Sequence, residues 1–143
     1  MPGREATEFS RAVEALRAAR LRPEVRLTEV PAPQRIAPYA VAMTADVLTS
    51  VDDDDELATG RFVLLFDPSA PEPWSGQWRV VTFARAELEP EFASDPLLGE
   101  VGWTWLTDSL DQRGVDYTAD AGTVTRVVSE SFGGLSDKDP SVE

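Results

Sequence analysis

The sequence contains no histidine, no cysteine and no asparagine, and a single lysine, Lys138. These absences exclude a good deal of chemistry. Without His or Cys there is no Ser-His-Asp triad, no thiol nucleophile, no thiolate zinc site and no disulfide. A lone lysine in a polar terminal stretch does not make the buried Schiff-base group of a covalent enzyme. No apolar run approaches the ~20 residues needed to span a bilayer. The start, Met1-Pro2-Gly3-Arg4-Glu5, leads directly into charged sequence with no hydrophobic signal region. The expectation is a cytoplasmic protein that does not engage membranes and needs no cofactor.

What is present describes a folded chain. Its 143 residues are 42% hydrophobic and 27% charged, which is globular rather than disordered composition. A chain of this length buries roughly 68–70% of its unfolded surface. The formal charge is −13, and it is uneven. Residues 1–45 hold seven Arg and five acids, whereas residues 46–143 hold six basic and twenty-one acidic side chains. A field of that sign repels phosphate backbones, so nucleic acid is excluded as a general partner. The arginines at positions 11, 17, 20, 22 and 26 are read as a solvated face.

Hydrophobic spacing assigns the elements. Thr7 is placed as an N-cap, and Phe9, Ala12, Val13, Leu16 and Ala19 recur at helical intervals until Pro23. A short strand is expected about Val25 and Leu27, followed by an extended stretch through Pro31 and Pro33. From Tyr39 to Leu48 the period becomes two, as in a strand. Further strands are expected at Arg61–Phe66, at about Gln77–Leu88 and at Thr123–Phe132. The Pro-rich stretch Pro68–Gly76 reads as an irregular loop carrying Trp74. Asp95-Pro96 opens a second helix that Arg113-Gly114 closes. Short connections between the middle strands call for an antiparallel meander. The expected fold is α+β: a two-layer sandwich with an antiparallel four- to five-stranded sheet and two helices on one face. It occupies a single domain over residues 1–135, followed by a flexible acidic tail over 136–143.

Candidate sites are few. The run Asp52-Asp53-Asp54-Asp55-Glu56 offers oxygen ligands for a hard cation, with Asp52 and Asp54 as weak metal candidates. It lacks the spacing and central glycine of a calcium loop and reads better as a solvated hairpin tip. Glu87 and Glu89, with Glu91, form a second acidic group suited in principle to acid–base or metal chemistry. Ser129-Glu130-Ser131-Phe132-Gly133-Gly134 is not a nucleophile elbow, because glycine does not flank the serine on both sides. Gly99-Glu100-Val101-Gly102 is not a phosphate loop, since the following Lys-Ser/Thr is missing. No catalytic residue is assigned.

The tryptophans are the least ordinary feature. Trp103 and Trp105 lie two apart on the second helix, about 200° around its axis. They cannot face the same surface, so one is expected to be partly uncovered. Trp is a favoured anchor at protein interfaces, which makes Trp74, Trp103 and Trp105 the candidate protein-binding residues.

Val13–Val25, Glu87–Phe92, Pro96–Leu106 and Ser129–Gly134 resemble an actinobacterial family, domain of unknown function 3000, and the resemblance runs from about Phe9 to Leu135. The Arg-rich, Lys-poor composition accords with an actinobacterial source. The resemblance implies no activity and carries no site residues with it. The family continues into a further strand after the Gly-Gly pair, whereas this chain runs on through Asp137–Glu143. The reading reached from the sequence is a non-enzymatic protein-binding or adaptor module whose partner is another protein, with a homodimer as one form of that. The alternative is a carboxylate-based, divalent-metal-dependent enzyme or small-ligand binder.

Overall fold

A computed structural model describes residues 3–48 and 56–143. The chain forms two compact units, Met1–Arg85 and Ala86–Glu143.

The first unit opens with helix α1, Arg4–Arg17. It starts earlier than a Thr7 cap would allow, with Gly3 at the N-cap and Glu5 in the first turn, where a carboxylate suits the helix dipole. It also ends before Pro23 enforces a stop, with Ala18 as the C-cap. Strands β1 (Val25–Val30), β2 (Tyr39–Leu48), β3 (Glu56–Phe66) and β4 (Trp78–Ala86) form one antiparallel sheet in the order β1-β2-β3-β4. The register sets Met43 opposite both Glu29 and Phe62, and Tyr39 opposite Phe66. Val47 pairs with Ala58 and Leu48 with Glu56, a bulge that closes the long hairpin.

Alternation along β2 and β3 sends side chains to both faces, and each face is covered differently. On one, Val13 of α1 packs with Val41, Met43 and Leu64, flanked by Phe9, Leu16, Leu27, Phe62 and Trp78. Phe66 is fully buried there, its ring stacked on Trp78 at 4.2 Å and tilted against Tyr39 at 5.7 Å. On the other face, Ala42, Val63 and Leu65 are covered by Val30, Ala32, Ala37, Ala40 and Trp74. The two proline-rich connections therefore do the work of a second layer. Small residues on β2 suit this arrangement, because an irregular segment follows the sheet closely only where side chains are short.

In the second unit a 3-10 turn at Pro90–Ser94 precedes helix α2, Leu98–Gln112. Asp95 does not begin the helix; its carboxylate accepts from the Leu97 N–H at 2.9 Å, one residue before the helix starts. The C-terminus matches the sequence reading. Gly114 adopts φ +66°, its N–H donates to the Asp111 carbonyl at 3.0 Å, and the Val115 N–H donates to the Leu110 carbonyl at 3.1 Å. That is a Schellman closure, which requires a residue tolerant of positive φ.

The strand expected over Thr123–Phe132 is only Val128–Ser129 (β5), paired with Ser141–Val142 (β6) in a separate two-stranded sheet. A strand is as long as its partner, and β6 has two residues. Residues 136–143, expected as a frayed tail, hold that partner strand, and Val142 is only 2% exposed. Leu88 adds a bridge to Val142, its N–H donating to the Val142 carbonyl at 2.8 Å.

Candidate functional site

Three surfaces bear on function: the face of α2, the acidic segment before it, and the outer strand β4.

The cover on α2 changes sides along its length. Leu98 is buried and Val101 and Gly102 half-buried in the first turns, whereas Trp103, Thr107 and Leu110 are half-buried further on. At about 100° per residue these two sets lie on different sides of the helix. Trp105 shares the azimuth of Leu98 but lies beyond the end of that cover, and it is 56% exposed. Leu106 and Leu97 are exposed with it. Trp103 is instead seated on the backbone at Gly122, where an added Cβ would sit 2.5 Å from its ring. The divergence of the two tryptophans, expected from their spacing, leaves Trp105 as the uncovered one. Trp74 is half-buried against Ala42, Val63 and Leu65 in the first unit. The three candidates thus have three different surroundings, and Trp103 and Trp105 do not share a surface.

The acidic segment is open to solvent. Glu87, Glu89 and Glu91 are all exposed. A hydrogen bond joins the Glu89 and Glu91 carboxyls. It raises the Glu89 carboxyl above its usual range, helped by the neighbouring negative charge. Glu91 is held below that range, first by its own backbone N–H and then by Glu89. Among the described residues no group of three or more acidic side chains is arranged to hold a metal ion. Asp52 and Asp54 lie outside the described residues. The turn ahead of α2 is fastened by Arg126, whose guanidinium donates to the carbonyls of Phe92 at 3.1 Å and Asp95 at 2.6 Å.

A groove of about 310 Å³ runs between α1 and the sheet, floored by Phe9, Val13 and Val41. The Arg17 guanidinium lies across it and donates to both Glu29 carboxylate oxygens, at 2.9 and 3.0 Å. This hydrogen-bonded pair lowers the Glu29 carboxyl and raises the guanidinium. Arg17 and Glu29 satisfy each other, and Glu14 lines the same groove, so it offers no unpaired cation to an anionic ligand.

Strand β4 was not anticipated as a surface. Beyond Trp78 it is exposed throughout, with Val80, Val81 and Phe83 uncovered and Phe83 63% exposed. Apolar residues on both faces read as a buried strand. The signal that points the other way is Arg79 and Arg85, which bracket the apolar middle.

Residues 5–143 match the family model described as "Protein of unknown function (DUF3000)". The chain belongs to the DUF3000 family. The match spans nearly all of the described chain, including α2 with Trp103 and Trp105 and the β5–β6 pair, so each of these surfaces lies within the DUF3000 region. No curated protein and no solved structure matches the chain. Among the described residues no helix is long and apolar enough to cross a membrane.

Proposed function

We propose that this DUF3000 protein is a non-enzymatic protein-binding module that engages its partner through the apolar surface centred on Trp105. The observation that carries the reading is the exposure of Trp105 beside Leu106 on α2. A large indole kept in water is costly to maintain, whereas at an interface it is among the strongest anchors. The residue types missing from the chain support a binding role over nucleophilic or thiol chemistry. The proposed location is the cytoplasm, with which a cysteine-free chain accords.

The test is affinity capture from lysate of the source organism at moderate salt, comparing wild type with Trp105→Ala and Trp74→Ala. A partner retained by wild type and Trp74→Ala but lost with Trp105→Ala supports the reading. Truncating an interface anchor costs at least about 2 kcal/mol, or roughly thirtyfold in affinity. Identical captured sets for wild type and Trp105→Ala refute it.

A further inference from the structure

Strand β4 ends the sheet, so one row of its backbone N–H and C=O groups has no strand beside it among the described residues. Such edges are templates for another strand, and proteins usually blunt them with proline, a bulge or inward charge. β4 runs nine residues, Trp78–Ala86, with no proline. Trp78 packs on the α1 side of the sheet, so alternation turns Arg79, Val81, Phe83 and Arg85 to the opposite face. Arg61 of β3 shares that face, being in phase with Val63 and Leu65. On the neighbouring strand Asp46 falls there too, but it stands directly opposite Arg26. The outer half of this face is therefore cationic and apolar in a chain of net charge −13.

The charges also select the occupant. Full antiparallel overlap of two β4 strands about Thr82 would set Arg79 opposite Arg85 at both ends, and like charges in direct register destabilise a pair. Self-pairing is disfavoured, and a strand with carboxylates at its ends is favoured. Arg85 is already engaged within the chain, which leaves exposed Arg79 as the anchor for an acid. We propose that β4 is the docking edge for an extended acidic segment of a partner protein, which adds as a fifth strand. Its apolar side chains lie against Val81 and Phe83, and a carboxylate lies beside Arg79. Main-chain hydrogen bonds supply affinity in such strand addition, and alternate side chains supply selectivity. This rests on the reading of the protein as a protein-binding module but uses a surface separate from Trp105.

The probe is a fluorescein-labelled peptide, Glu-Thr-Val-Thr-Ile-Thr-Glu, whose one face mirrors the β4 pattern. Fluorescence anisotropy should show saturable binding that Arg79→Glu and Phe83→Thr each weaken by about tenfold or more. Replacing both peptide glutamates by lysine, or its central threonine by proline, should abolish binding. Amide exchange at β4 should slow when the peptide is bound, a readout that charge attraction alone would not move. Trp105→Ala should bind the peptide as wild type does, so failure at one surface is separable from failure at the other. Circular dichroism melts establish that the variants fold, and Val81→Thr serves if Phe83→Thr does not. Equal binding of the lysine peptide, unchanged exchange at β4, or no binding overturns the proposal. So does a wild-type dimer that Phe83→Thr dissociates, or an oligouridine RNA that binds where the peptide does not.

Discussion

Phe66 and Phe83 are both phenylalanines in neighbouring strands of one sheet, and their surroundings call for opposite responses to truncation. Phe66 is fully buried, with Trp78 stacked on its ring at 4.2 Å and Tyr39 at 5.7 Å. Phe66→Ala removes the transferred area, leaves a cavity and breaks both ring contacts, which together cost about 3–5 kcal/mol. Because Tyr39 and Trp78 are themselves only half-buried, they can settle toward the gap, which favours the lower end. Against a total stability of about 5–15 kcal/mol, a loss of about 3 kcal/mol leaves the variant folded with a clearly reduced margin. Phe83→Ala, at an exposed site, should stay within about 0.5 kcal/mol of wild type. Urea unfolding followed by tryptophan fluorescence reads both, since Trp78 reports the neighbourhood of Phe66 directly. The midpoint should fall with the slope unchanged. A loss below about 1 kcal/mol for Phe66→Ala, or equal losses for the two variants, would refute this account of the core.

Two further predictions concern local geometry and charge. Gly122→Ala places a methyl where the Trp103 ring sits, so it should destabilise the second unit by about 1–3 kcal/mol. Trp103→Leu in the same chain should recover part of that loss in a double-mutant cycle, and additive losses would show that the ring is not the obstacle. Pairing with Arg17 lowers the Glu29 carboxyl in the folded state. Its contribution is therefore complete above the ordinary carboxylate range and is lost as pH falls through the lowered value. Thermal melts of wild type and Glu29→Gln should differ most at neutral pH and low salt and converge in acid. A gap that widens on acidification would invert the assignment.

Much of the fold was legible because burial and period agree in it. Val41 and Met43 sit where alternation puts them, and Phe9, Val13 and Leu16 lie on the face their spacing defines. The Gly114 closure was legible for the same reason, since positive φ leaves few residue choices. Val124, Val127 and Val128 misled because β-branched residues signal extended backbone, while strand length depends on a partner far along the chain. That partner, Ser141–Val142, is embedded in polar sequence that resembles a tail. At the site, spacing alone separated Trp103 from Trp105, and exposure then distinguished them. The bare flank of β4 was only faintly legible, in the bracketing Arg79 and Arg85, because nothing else local to Val80–Phe83 says that the helix and the proline segments cover other parts of the sheet.

The bridge between Leu88 and Val142 sets the first and last segments of the second unit side by side. The stretch between them is closed by the Leu88 N–H to Val142 carbonyl bond, and its C-terminal segment is tied to the interior of the unit by the reciprocal pair between Val127 and Glu143 at 2.7 and 2.9 Å. Topologically this is the geometry of a domain inserted into another chain, where neighbouring ends let a sequence be interrupted without separating what flanks it. The order of segments within the unit is then separable from its set of contacts. Joining residue 143 to residue 87 by a short turn and reopening the chain at the exposed Gly133-Gly134 pair would reverse which residues come first while leaving every strand pairing in place.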